Sequence, residues 1–138
     1  MCAPVYEREQ GAKCSCFGPD ITVTMEVENS LVPPTFRSSV MLKMPQRQLI
    51  YFLQEAVARD QHFHFTAEYF ATPALTGYMV LSMNKLAGST VDKTYWQILD
   101  KGKPTPLGVS EYVPKDGSVI AFKFTTYKTD DCTTGTTP

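Results

Sequence analysis

The spacing of apolar residues changes period twice along this chain, and that switch limits the folds open to it more than any other feature. Ile21, Val23, Met25 and Val27 alternate with Thr22, Thr24 and Glu26, the period of two of a half-buried strand. Pro33-Pro34 forces an extended turn. Phe36, Ser38, Val40, Leu42 and Met44 then alternate against Arg37, Ser39 and Lys43, the second arm of an antiparallel pair. From Gln46 to Asp60 the period turns helical: Leu49, Phe52, Leu53, Ala56 and Val57 recur at three and four residues, with Pro45 placed where a helix start tolerates it. Strand character returns at Phe63, Phe65, Ala67 and Tyr69, again from Gly77 to Met83, around Trp96, and at Ile120, Phe122 and Phe124; residues 84–93 read as a loop. Two strands, one helix across them and several more strands predict an α+β domain, a mixed sheet with one main helix packed on one face.

A chain of 138 residues is large enough for one domain with a real core. Thirteen basic and fourteen acidic side chains leave a formal net charge of −1, with no Lys/Arg run, so neither nucleic acid nor an anionic membrane surface is expected as a partner. The apolar runs are far shorter than a bilayer span. Met1-Cys2-Ala3-Pro4 carries no apolar h-region, so a secreted form would be a mature chain whose Met1 was added for expression.

The four cysteines, Cys2, Cys14, Cys16 and Cys132, all fall in polar tails outside the core pattern, where staples are expected and buried structural thiols are not. They divide the chain into a disulfide-stapled arm (1–19), a folded domain (20–128) and a C-terminal tail (129–138). Four cysteines allow three pairings. A Cys14–Cys16 bridge would be strained, so one of the two is expected to reach Cys132, which closes a loop worth about 4–5 kcal/mol in the chain-entropy model. The spacing of Cys14-Ser15-Cys16 is too tight for a zinc knuckle. Such usage belongs to an oxidising, extracellular compartment, and no Asn-x-Ser/Thr sequon accompanies it.

Catalytic signatures are missing from the sequence. There is no Gly-x-Ser-x-Gly elbow and no phosphate-cradling glycine loop. The cysteines sit in the arms, the acidic residues are scattered singly, and no matched acid–base pair stands out. His62 and His64, two apart on an expected strand, would share one face with Asp60 and Glu68 nearby, but the reading adopted is a solvent face opposite Phe63 and Phe65, with no metal. Gly77-Tyr78-Met79-Val80-Leu81-Ser82-Met83 is apolar on both strand faces. One face suits the core and the other a partner element, a ligand or a second chain, a use for which Met side chains are well adapted.

The segment from Thr94 to Tyr127 carries the most specific motifs: Tyr95-Trp96-Gln97, then Gly108-Val109-x-x-Tyr112, then Pro114-Lys115-Asp116-Gly117-x-x-Ile120. In this order they resemble the C-terminal β-domain of the transcobalamin and intrinsic factor family of cobalamin carriers, and the likeness runs from about Ile21 to Tyr127. The resemblance implies a β-grasp-like arrangement and a non-enzymatic cobalamin binder without a catalytic cofactor. It implies a ligand wall of Gly77, Tyr78, Met79 and Val80 on one strand, Trp96, Gln97 and Ile98 on another, and Leu107 (or Thr105, by ungapped counting) in the turn after the second strand. Two departures stand out. Thr76 occupies the position of the family's Trp before Gly77, which removes a large apolar anchor. The family's helical partner domain is not among these 138 residues.

The resulting expectation is a secreted, disulfide-stapled binder of cobalamin or a similarly large amphiphilic molecule, completed by a helical partner domain or a homodimer. The alternative is an extracellular interaction module that kept the fold and lost the vitamin, its apolar strand serving as an interface. A carrier of another hydrophobic small molecule would use the same wall.

Overall fold

A computed structural model describes residues 19–127 of the chain. Cys2, Cys14, Cys16 and Cys132 lie outside the described residues, and with them the stapled arm, the tail and the expected bridge. Strands β1 (Asp20–Asn29) and β2 (Phe36–Pro45) pair antiparallel along their whole length, from Asp20↔Pro45 to Asn29↔Phe36. The alternation predicted for β1 is observed: Ile21, Val23, Met25 and Val27 are buried, while Thr22, Thr24, Glu26 and Glu28 are half-exposed on the other face. Helix α1 (Leu49–Arg59) buries Leu49, Phe52, Leu53 and Ala56 against this core, with Val57 at its margin.

The helix starts three residues later than its apolar period implies, because the preceding residues are held elsewhere. Pro45 ends β2, and Gln46 donates its N–H to the Pro19 carbonyl (2.9 Å) and its side-chain amide to the Pro114 carbonyl (2.8 Å). No side chain caps α1. Instead Leu49 N–H donates to the Tyr112 carbonyl (2.7 Å) and Ile50 N–H to that of Val109 (2.9 Å), so the 109–112 segment satisfies orphan donors of the first turn. After a 3₁₀ turn (Gln61–Phe63) come β3 (Phe65–Ala71), β4 (Thr76–Met83), β5 (Leu86–Ala87), β6 (Thr94–Asp100), β7 (Lys103–Pro104) and β8 (Val119–Thr126).

The strands divide into two sheets. Five form the order β2-β1-β8-β6-β7, in which only β1 and β8 run parallel; three form the order β3-β4-β5. The larger sheet is mixed and α1 is the one α-helix of the described residues, the α+β arrangement read from the periodicity; the second, three-stranded sheet is not part of that reading. Near β6, Gly88 comes so close to the Thr94–Tyr95 backbone that an added Cβ would sit 2.7 Å from the Thr94 carbonyl oxygen. Only the isolated bridge Ser89↔Thr94 forms there. The loop expected over 84–93 holds a short hairpin strand as well. Asn84 (φ 51°) and Lys85 (φ 68°) give the two consecutive left-handed residues of a tight hairpin, which pairs Met83 with Leu86.

Between β1 and β2, the buried side chain of Asn29 organises the turn. Its amide donates to the carbonyls of Val32 (2.8 Å) and Pro34 (3.2 Å), and its oxygen accepts from Leu31 N–H (3.0 Å) and Val32 N–H (3.2 Å). Asn29→Ala leaves those backbone groups without partners and should lower unfolding free energy by about 2–3 kcal/mol, read from urea denaturation. A loss below about 0.5 kcal/mol would show that water replaces the amide.

Candidate functional site

A β-bulge sets the outward face of β4. Thr66 faces Ser82 but Ala67 faces Val80, so Leu81 is the extra residue and the strand changes which side chains it turns out. Val80 and Met83 stay in the core, whereas Met79 and Leu81 emerge about two-fifths exposed (42% and 37%). With Val80 they form one side of a cleft of about 620 Å³, whose other sides are the 88–90 backbone, Tyr95 and Trp96 on β6, and Tyr127 beyond β8.

Trp96 is the floor of this cleft rather than a free-standing wall. It is 6% exposed, its ring lies 5.0 Å from Phe124 and 6.3 Å from Phe36, and its indole N–H donates to the Leu86 carbonyl (2.8 Å). A buried indole thus has its polar end satisfied by the hairpin that also borders the cleft. Tyr95 and Tyr127 meet edge to face at 5.9 Å on the far side. The arrangement offers a broad apolar surface with a few peripheral hydroxyls and peptide groups, suited to a large molecule with a flat, mostly apolar side.

Of the residues singled out from sequence, Met79, Val80 and Trp96 are brought together here. The others stand elsewhere. Gly77 is buried with φ +121°, and an added Cβ would lie 2.5 Å from Ser110 Oγ and 2.6 Å from a Glu111 carboxylate oxygen. Tyr78 donates its N–H to Ser110 Oγ (2.9 Å) and lines a second cleft against α1. Gln97, the next residue after Trp96, stands opposite Lys123 of β8, and Ile98 packs partly into the core. Leu107 is 50% exposed in the turn, and its carbonyl accepts from Thr105 Oγ1 (2.9 Å). Leu81, Tyr95 and Tyr127 complete the cleft. Tyr95 stood in the quoted motif; the bulge that turns Leu81 outward has no sequence signal, and Tyr127 is placed by its ring contact with Tyr95 and by its N–H to the Lys93 carbonyl (2.9 Å).

Two carboxylates are held in polar clusters. Asp60 accepts from the Ser38 hydroxyl and from His62 N–H (2.9 Å), with His62 Nδ1 2.7 Å away. The Ser38 hydroxyl, more than His62, holds the Asp60 carboxyl below its usual range against the opposing effect of partial burial. His62 therefore belongs to a 3₁₀ turn and not to a strand face, and both it and His64 are exposed, as the solvent reading required. Among the described residues no three His, Cys, Asp or Glu side chains gather into a metal-ligating cluster. Asp100 accepts from Tyr112 Oη (2.6 Å), Ser118 Oγ (2.9 Å) and Val119 N–H (3.2 Å), and that carboxylate pushes the Tyr112 phenol up to about 12.

Both clusters set a pH dependence. The Asp60 contribution is complete above its ordinary carboxylate range and is lost as pH falls through the lowered value; Asp60→Asn should lessen the loss of stability on acidification below about pH 4. Tyr112 contributes fully below its unfolded value near 10 and loses that contribution as pH rises towards about 12. Tyr112→Phe should accordingly flatten stability across that alkaline window in urea titrations. Unchanged slopes would assign the transitions to other groups.

No family model matches the chain. Over 111 residues, 78% of the chain, it is 33% identical to cobalamin binding intrinsic factor of Canis lupus familiaris, and it is 31% identical to that of Homo sapiens over the same length. In each case the chain spans about a quarter (26%) of the curated relative. Among solved structures, haptocorrin in complex with Cbi superposes on 80% of the chain with a TM-score of 0.65 at 22% identity, covering 26% of that protein. A putative metal binding protein from Ruminococcus gnavus superposes on 78% of the chain at 10% identity and a TM-score of 0.59, and there the match takes in 99% of the solved chain. No helix of the described residues is long and apolar enough to cross a membrane. The chain is a homologue of cobalamin binding intrinsic factor, matching that protein over a single domain's length and consistent with a C-terminal domain of its family.

Proposed function

We propose that this chain is a secreted, non-enzymatic ligand-binding domain that receives cobalamin, or a similarly large amphiphilic molecule, against the cleft between β4 and β6. The observation that carries the reading is the convergence of Met79, Val80 and Trp96, three residues the family resemblance marks as ligand wall, on one apolar cleft of about 620 Å³. Relatives named for cobalamin binding support the ligand class. A corrin-sized molecule would rest on Trp96 and Val80, with Met79, Leu81 and Tyr95 at its rim. A helical partner domain, on another part of the protein or on another chain, or a second copy would cover the remaining ligand face.

The interaction-module reading has one observation in its favour: Met79 and Leu81 stand exposed together on one side of β4, as on an interface strand.

Titration of the purified chain with cyanocobalamin, read by visible absorbance and calorimetry, tests both. Saturable binding in the micromolar range is expected, weakened at least tenfold by Met79→Glu and unchanged by Met41→Glu, a control on β2 at a residue 67% exposed. No heat and no spectral change up to millimolar ligand, together with a concentration-dependent mass in light scattering, would replace the carrier with the interface.

A further inference from the structure

On the opposite side of β4 from the cobalamin-type cleft lies a second one of about 540 Å³, and its chemistry is different. Tyr51 and Gln54 line it from the outer face of α1 and Gln48 from just before the helix, Phe65 and Tyr78 from β3 and β4, and Ser110 from the segment that caps the helix. Tyr51 is 37% exposed and Tyr78 43%, and Tyr69 continues the aromatic row, its ring 5.2 Å from that of Tyr78 in an edge-on contact. Ser110 Oγ accepts from Tyr78 N–H and keeps its own proton for donation. Among the described residues the carboxamides of Gln48 and Gln54 and the phenols of Tyr51 and Tyr78 make no hydrogen bond, so their donors and acceptors face solvent uncommitted. No carboxylate, ammonium or imidazole lines the cleft, and the Arg47 guanidinium lies over the Tyr51 ring, 3.5 Å from its centroid.

Aromatic surface flanked by neutral amides and hydroxyls, its one neighbouring formal charge the Arg47 guanidinium stacked on Tyr51, is complementary to a ring that has an apolar C–H face and a rim of hydroxyl groups. Carboxamides donate and accept at once and so pair with hydroxyls, which do the same. Half-exposed tyrosines supply contact area at small entropic cost. From this we infer that the α1–β4 cleft binds a neutral saccharide ring. The site is separate from the corrin cleft, and neither proposal depends on the other.

The test is a titration of the ¹⁵N-labelled chain with methyl glycosides of glucose, galactose and mannose and with N-acetylglucosamine, each to about 50 mM, enough to reveal millimolar binding. At least one of them should give saturable shifts confined to residues of this cleft, and both Tyr51→Ala and Gln54→Leu should weaken it at least fivefold while leaving the remaining amide spectrum in place. Both residues are exposed on the outer face of α1, so the variants should stay folded. Three results overturn the inference: no saturable shift from any neutral sugar, shifts centred on Met79 and Tyr95, or tighter binding of glucuronate, which would assign recognition to Arg47. Loss of cobalamin binding in the other cleft would not touch this outcome.

Discussion

Residues 24–28 of β1 lie parallel to residues 119–123 of β8, so the first and last strands of the described domain are hydrogen-bonded neighbours at the centre of the larger sheet. Bringing together segments so distant in sequence carries a loop-closure cost that grows with the logarithm of the intervening length. The offset is the core itself, because Val23, Met25 and Val27 meet Ile120, Phe122 and Phe124 there, all of them buried. A turn secures the register. Thr22 donates its N–H to Asp116 Oδ1 (2.9 Å) and accepts from Gly117 N–H (2.8 Å), while Thr24 N–H reaches the Ser118 carbonyl (3.0 Å). The Pro114–Gly117 turn therefore works as a clasp between the two strands, with Gly117 at φ +88° where a side chain would be strained. Without that pairing, β6 and β7 would share no continuous ladder with β1 and β2.

The cleft between β4 and β6 inherits its order from this arrangement. Strand β8 carries Phe124 beneath Trp96 and is followed at once by Tyr127, so the floor and far wall are extensions of the central pair. The rim has a different origin. Met79 and Leu81 belong to the smaller sheet, which touches β6 through the Ser89↔Thr94 bridge and the Trp96–Leu86 hydrogen bond. A fixed aromatic floor with adaptable thioether and aliphatic groups at the edge is a sensible division for a ligand whose outline is irregular. The same strand serves the second cleft, since Tyr78 faces α1 while its neighbour Met79 faces β6.

Much of this was legible from residue order. The period switch located β1, β2, α1 and β8 because each buries one regular face, and the family motifs placed Trp96 and Met79 in one neighbourhood. What was not legible involves contacts between distant backbones. The helix start moved because Gln46 is bonded to Pro19 and Pro114, partners no local pattern reveals. The second sheet meets β6 through the isolated Ser89↔Thr94 bridge, beside which Gly88 lies against the Thr94 backbone, a contact no local pattern reveals. Tyr78 left the expected wall through a conjunction of the β4 bulge, the positive φ of Gly77 and the hydrogen bond to Ser110. Each is a tertiary override of a correct local signal.

Under the proposed function, the cleft's openness decides what affinity this domain alone can reach. A flat ligand laid on Trp96 and Val80 buries one of its faces and leaves the other in water. Association has a cost of about 4–15 kcal/mol before any contact is made, so a single wall yields moderate affinity at best. Thr76, where the family resemblance implies a Trp, deepens that deficit by adding little apolar surface along β4. A second surface changes the balance twice over: it buries the remaining ligand face, and it covers Met79 and Leu81, which are otherwise in contact with water. Closure of the cleft and occupancy of the cleft are therefore coupled, and each should strengthen the other by the same factor.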